Sequence, residues 1–329
     1  FTSAQAGELS VTGSMHATYQ SEMDDNTGNP LGLNTDLTFS GSTDTDFGTA
    51  TWTMATDGTF LGESSADHTF KVATDFGTVG VGNSGDAANA VDDITPTAFE
   101  EANGSGSGTY SNDVGAGMDG SMSVSYANGD ILGTGVSLAY NYYPRLDGTT
   151  NNEKASSSGA TSATSSAQSV NVGIPVSGLP LVGNTVLGGL KRTAGYNESN
   201  SRVTNGTANR GGTVAATLPI GPLSIGYQKK AYHPRGDAAI SEVQKAFYKD
   251  DVLGLAYAVN DDFAISYNLY ESTKHLHTTG EVEQETKAIN FAYTVGGITL
   301  AFQDAKTDNA AYSAGTSDDT RTISVKTAF

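Results

Sequence analysis

The chain has no cysteine among its 329 residues, which removes disulfide frameworks, thiolate zinc sites and thiol redox centres from consideration. It is also short of cations, with 17 Lys and Arg against 36 Asp and Glu and a net charge of −19 at pH 7. A surface of that sign repels phosphate backbones, so nucleic acid is excluded as a general partner and cations or cationic solutes are favoured. No apolar run approaches the roughly 20 residues that a membrane-spanning helix needs, so a membrane role would have to rest on a closed barrel of strands. The length alone is compatible with two domains, although all-β barrels of this size fold as one unit.

What the sequence does have is strict alternation of apolar and polar residues, the period of a half-buried strand. Leu9, Val11, Met15, Ala17 and Tyr19 alternate with Ser10, Thr12, Ser14, His16, Thr18 and Gln20, and the pattern returns around Leu37 and Phe39 and around Trp52 and Met54. Sixteen segments are predicted as strands: residues 9–20, 33–40, 47–55, 68–74, 78–82, 121–126, 135–143, 170–176, 181–192, 213–220, 223–230, 245–259, 263–272, 286–295, 298–306 and 321–329.

The connections carry further information. Short ones follow the even-numbered segments (41–46, 75–77, 127–134, 177–180, 221–222, 260–262 and 296–297), and long polar ones follow the odd-numbered segments (21–32, 56–67, 83–120, 144–167, 193–212, 231–244, 273–285 and 307–320). Short turns at one end and long loops at the other are what an even-stranded transmembrane barrel shows. In hydrocarbon every backbone N–H and C=O must be paired, so the sheet closes on itself, and lipid outside with water inside then imposes a period of two. The expected fold is therefore an all-β, antiparallel up-and-down transmembrane barrel of 16 strands. It forms a single domain over residues 7–329, and residues 1–6 are a candidate signal-peptide remnant because Ala4-Gln5-Ala6 has the small-x-small form of a cleavage site.

The opening Gly7-Glu8-Leu9-Ser10-Val11-Thr12-Gly13-Ser14, the stretch 76–93 and the ending Thr322-Ile323-Ser324-Val325-Lys326-Thr327-Ala328-Phe329 resemble the general-diffusion porins of Gram-negative outer membranes, most closely the 16-stranded porins of alphaproteobacteria. The resemblance implies a homotrimer in the outer membrane of a Gram-negative bacterium, in contact with outer-membrane lipid and lipopolysaccharide, passing small hydrophilic solutes passively and carrying no cofactor. It also implies that the C-terminal Phe329 is read as the barrel-insertion signal, with Thr327 standing where the commonest ending has Tyr. The third external loop, 83–120, should fold inward as the constriction.

That loop begins in a decoy. Gly80, Gly82 and Gly85 spell G-x-G-x-x-G after a strand-like segment, as a dinucleotide-binding turn requires. No second βα unit comes after it, so the glycines are read as letting the chain leave the wall and turn inward, with residues 86–91 as a short helical piece. The loop supplies Asp86, Asp92, Asp93, Glu100, Glu101, Asp113 and Asp119 and no Lys or Arg. This is read as an acidic constriction with no local cationic partner. Parity places His16, Lys71 and Lys326 on the inner wall, where they are either ordinary solvated side chains or the basic side of a transverse field across the pore.

Other motifs are weaker. His275-x-His277 lacks an evident third ligand, Arg235-Gly236-Asp237 is most simply chance, and Asn-x-Ser/Thr triplets at Asn103, Asn197 and Asn205 have little force in a bacterial chain. Asp24-Asp25 and Asp318-Asp319 are either calcium or lipopolysaccharide bridges or merely solubilising charges. No metal site and no nucleophile elbow stands out, so no catalytic residue is assigned. The alternatives left open are a solute-specific channel, with Tyr110, Tyr126 or Tyr143 along a sugar or amino-acid path, and a surface adhesin.

Overall fold

The computed structural model describes residues 8–22, 29–56, 67–83, 85–109, 114, 118, 120–146, 164–176, 186–201, 208–234, 247–276 and 280–329. Its strands are β1 (Glu8–Glu22), β2 (Leu31–Thr45), β3 (Gly48–Thr56), β4 (Asp67–Thr74), β5 (Gly77–Gly82), β6 (Ser123–Asn128), β7 (Ser137–Tyr143) and β8 (Thr164–Pro175), followed by β9 (Lys191–Ser201), β10 (Asn209–Ile220), β11 (Leu223–His233), β12 (Phe247–Ala258), β13 (Phe263–Leu276), β14 (Gly280–Val295), β15 (Ile298–Asp308) and β16 (Ser317–Ala328). Each pairs antiparallel with the next, and β16 returns to β1, so the sheet is closed and has no edge. A single closed sheet also departs from the two packed sheets that a soluble β-sandwich adhesin would need.

Register shows how alternation becomes two faces. Phe291 lies opposite Phe302 on one side and Ile265 on the other, while the next row sets Asn290 opposite Gln303 and Ser266. The first row points outward and the second into the barrel. Leu9, Val11, Phe70, Val81, Val214, Phe291, Leu300 and Ile323 are all exposed on the outer face, while the buried set is mostly Ser, Thr, Asn, Gln and Ala. Water would not tolerate so continuous an apolar exterior on a monomer, whereas hydrocarbon matches it.

The ninth strand is displaced from its predicted place. The alternating, apolar pattern predicts a strand over 181–192 and a loop over 193–212, yet β9 runs over Lys191–Ser201 and Val186–Gly189 forms a tight helical turn. Outward, β9 offers only Ala194 and Tyr196 between Arg192 and Glu198. Inward it carries Thr193, Gly195, Asn197 and Ser199, so neither face has a hydrophobic signature. The connection before it is accordingly 176–190, not the four-residue turn expected, of which 177–185 lie outside the described residues.

At the seam, the Gly13 and Phe329 backbones exchange two hydrogen bonds of 2.8 and 2.9 Å. The Phe329 ring lies directly over Gly13, where a Cβ would come within 2.6 Å of it and 2.8 Å of Leu37. Phe329 is thus paired with β1, on the outer face at the short-turn end.

Candidate functional site

The connection from β5 to β6 leaves the wall and lies inside the barrel. Gly80 and Gly82 are inward positions of β5, opposite Lys71 and Thr69, and Gly85 turns the chain with φ +83°. Asp86 then caps the turn that it opens: its Oδ1 accepts the N–H of Ala88 (2.7 Å) and of Asn89 (3.2 Å), and Ser169 Oγ donates to it. The predicted helical piece is one turn of 3-10 helix, Asn89–Val91.

From there the loop tracks the inner wall strand by strand. Asn171 Nδ2 on β8 donates to Ala87 O, and Gln228 Nε2 on β11 donates to Val91 O at 2.9 Å. On β13, Asn268 Nδ2 donates to Pro96 O (3.1 Å) and Ser266 Oγ accepts from Ala98 N–H (2.9 Å), and on β15 Gln303 Nε2 donates to Glu100 O (3.1 Å). Phe99 meets His16 of β1 edge-on, with ring centroids 6.3 Å apart. The return is pinned at Thr109, whose hydroxyl shares 2.8 Å hydrogen bonds with Thr286 and Thr307, and by Ala311 N–H donating to Gly108 O at 2.9 Å. Glycines clear the bed for this crossing. A Cβ on Gly226 would stand 2.2 Å from Pro96, and one on Gly254 2.7 Å from the Pro96 carbonyl.

The acids are the main departure from expectation, because the reading of seven carboxylates without a local partner is incorrect. Lys230 of β11, its side chain 0% exposed, places Nζ 3.5 Å from Asp92 and 3.2 Å from Asp93. Asp92 also accepts Val114 N–H at 2.9 Å, and Asp93 accepts Asn103 Nδ2 at 3.0 Å. Asp86, Asp92 and Glu101 are buried between loop and wall, whereas Asp93 keeps 47% of its side chain exposed and Glu100 is half-buried. Asp113 and Asp119 lie outside the described residues. Burial pushes the Glu100 carboxyl above its ordinary value. Burial pushes Glu101 up to about 7, against hydrogen bonds from Thr95 N–H (2.6 Å) and the Thr95 hydroxyl; Asp93 adds to the rise and Lys230 opposes it.

A carboxyl raised by docking favours the docked loop while protonated. That contribution is complete below about 4.5, the ordinary value of Glu101, and is lost as pH rises through about 7. Open-channel noise from loop motion should therefore grow between about pH 6 and about pH 8, and Glu101→Gln should flatten the profile. A Glu101→Gln channel with the same pH dependence would show that another group governs it.

Across the barrel the wall is uncovered. Inward-facing Ser10, Thr12, Thr49 and Lys71 are exposed, and Ser14, Asp36, Thr51 and Thr53 half-buried, in contrast to the buried row beneath the loop. His16 Nε2 and Ser324 Oγ are 2.7 Å apart, with Lys326 directly opposite His16 in register. Asp36 accepts from Ser14 Oγ and Asn34 Nδ2 on the same wall. The aromatics considered for a solute path are elsewhere: Tyr126 faces outward with its hydroxyl on the Phe76 carbonyl, Tyr143 is buried against Met118 and Ala167 with its hydroxyl on Gly85 O, and Tyr110 lies outside the described residues. His275 is stacked on Phe247 and hydrogen-bonded to Glu281 (2.7 Å), while His277, Asp24, Asp25 and Arg235 to Asp237 lie outside the described residues.

No family model and no curated protein matches this sequence. Solved structures do. The OmpT outer-membrane protein of Vibrio cholerae in its trimer form aligns over 99% of this chain and 100% of its own, with a TM-score of 0.65 at 12% identity. This chain has the porin fold. A porin refined at 1.8 Å aligns over 98% of this chain and 100% of its own (TM-score 0.67, 14% identity), and the anion-selective porin of Comamonas acidovorans over the same shares (TM-score 0.66, 14% identity). The likeness covers the whole barrel and extends to no shared sequence of consequence.

Lys230 is the residue that sequence reasoning missed. The alternation Tyr227-Gln228-Lys229-Lys230 already set Gln228 and Lys230 on the inner face. What was lacking was any sign that a loop some 137 residues away would lie over them.

Proposed function

We infer that this chain is an outer-membrane channel of a Gram-negative bacterium that lets small hydrophilic solutes and ions diffuse passively, with a preference for cations. The observation that supports this most is the closed sixteen-strand barrel with an apolar exterior and a polar interior, in which one loop docks along β8–β15 and leaves the inner faces of β1–β3 and Lys71 of β4 in contact with solvent. On this reading the short turns face the periplasm, the long loops face outside, and the assembly is a homotrimer, as one fold neighbour is described in trimer form.

Cation preference rests on the net charge of −19 and on the loop acids that keep solvent contact. Asp93 and Glu100 can act on a passing ion, whereas Asp86 and Asp92 serve to seat the loop and Glu101 holds its proton to about 7. Lys71 and Lys326 oppose them from the wall. The same fold serves an anion-selective protein, so fold alone does not set the sign; local charge at a partly desolvated constriction does.

The zero-current potential in a KCl gradient reads this directly and should have the sign of a cation-preferring pore. Asp93→Asn with Glu100→Gln should lower the preference, most clearly at low salt where screening is weakest. An anion-selective wild-type channel would mean that Lys71 and Lys326 dominate the constriction.

A further inference from the structure

On the outer face of β9–β11 the side chains are small: across β10 the central outward positions are Gly212, Val214 and Ala216, flanked by Ala194 on β9 and Ala231 on β11. The small side chains leave a trough, formed by two cavities of about 340 and 490 Å³ that meet at Ala194, Val214 and Lys229.

Its rim is charged. Three register rows cross it: Arg192–Ala216–Tyr227–Leu253, then Ala194–Val214–Lys229–Asp251, then Tyr196–Gly212–Ala231–Lys249. Lys229 Nζ is 2.7 Å from Asp251, which also accepts the Tyr227 hydroxyl, so that cation is matched. Lys249 projects over the Phe247 ring at 5.3 Å and has no carboxylate within 4 Å among the described residues. Among the described residues that line the trough, Lys229, Lys249 and Arg192 stand against one carboxylate, Asp251, with Glu271 of β13 directly opposite it just outside the trough.

Lys229 is six residues along β11 from Leu223, above the outward Ile225 and Tyr227. At ~3.3 Å per residue and a tilt of ~45° that is about 14 Å above the short turn. Lys249, one row further toward the long loops, reaches the upper part of an apolar band about 25 Å tall, where a long ammonium side chain can extend to the headgroup layer. An uncompensated charge on this face is destabilising in proportion to its depth, and an anion there removes the cost.

We propose that the trough over β10 holds an acyl chain of a phosphate-bearing outer-leaflet lipid whose headgroup is seated by Lys249 and Lys229. The chain fills the concavity left by Gly212, Val214, Ala216, Ala194 and Ala231, and the phosphate supplies a counter-charge that Lys249 does not find among the described residues. The proposal rests on the barrel spanning a membrane, and its test keeps the two apart.

Because the chain has no cysteine, Ala216→Cys gives a single attachment point for a fluorophore in the trough, and Leu300→Cys gives one on the lipid face well away from it. Each labelled protein is reconstituted in phosphatidylcholine vesicles containing brominated-chain phosphatidylglycerol or brominated-chain phosphatidylcholine. The trough label should reach half-quenching at a several-fold lower fraction of the anionic lipid than of the zwitterionic one, and Lys249→Gln should abolish that difference. The Leu300→Cys label should be quenched equally by both. Equal quenching of the trough label by the two lipids, or selectivity that survives Lys249→Gln, overturns the proposal. A trough label quenched by neither lipid while the Leu300→Cys label is quenched assigns the face to protein contact and also overturns it. Failure of both labels to be quenched contradicts the membrane barrel itself.

Discussion

Lys230→Met is expected to free the constriction loop and give a larger, noisier conductance with a higher solute size limit, in a barrel that still folds. The ammonium is fully buried and is shared by Asp92 at 3.5 Å and Asp93 at 3.2 Å, and it lies 5.8 Å from the Tyr270 ring. Removing one partner of a buried pair strands the other charge at a cost of about 3–5 kcal/mol. Lifting of the loop toward water relieves the stranded Asp92 charge. The wall's own ladders from β10 to β12 remain intact, so the change should appear in permeation and not in heat stability. Lys230→Arg should keep most of the docking, and removal of residues 87–101 should exceed the effect of Lys230→Met. Wild-type conductance and size cutoff in Lys230→Met would mean that the neutral tethers from Ser169, Asn171, Gln228 and Asn268 hold the loop without the ion pair.

Deleting Phe329 is expected to reduce the yield of folded barrel in the outer membrane by several-fold or more. Two effects combine. The seam between β1 and β16 loses both hydrogen bonds between Gly13 and Phe329, each of net value about 0.5–1.5 kcal/mol. The exposed Phe329 ring on the outer face, 69% accessible, is also lost to whatever recognises β16. Gly13→Val separates the two, because it keeps Phe329 but drives its ring off the strand. Immunoblots of heat-modifiable species in outer-membrane fractions measure the yield, and an unchanged yield after the deletion would sever the link between Phe329 and assembly.

The barrel was legible because its two solvents write a period of two into every strand. The run Phe263, Ile265, Tyr267, Leu269 against Ala264, Ser266, Asn268, Tyr270 needs no context to be read as a wall. The rule failed at β9, where the lumen side is covered by the loop and the outer side is flanked by Arg192 and Glu198, so apolar contrast is weak on both faces. Of the alternating stretch before it, Val186–Gly189 forms a tight helical turn, and 181–185 lie outside the described residues. The inward course of the 83–120 loop was implied by the resemblance to porins, with the glycines read as letting the chain leave the wall. The state of its acids was not, because charge counts within a segment say nothing about which carboxylate will meet a lysine from a distant strand. Asp86, Asp92 and Glu101 are spent on anchoring for that reason, and only a three-dimensional contact separates them from Asp93 and Glu100.

The central claim is that this barrel is an open, water-filled passage narrowed by a docked loop. Purified protein added to one side of a planar lipid bilayer in KCl tests it most directly. The account predicts discrete conductance steps that are linear with voltage near zero, are proportional to bulk salt conductivity, and become larger for the variant lacking residues 87–101. A folded, heat-modifiable protein that inserts into the bilayer yet produces no steps, with or without that segment, would contradict it.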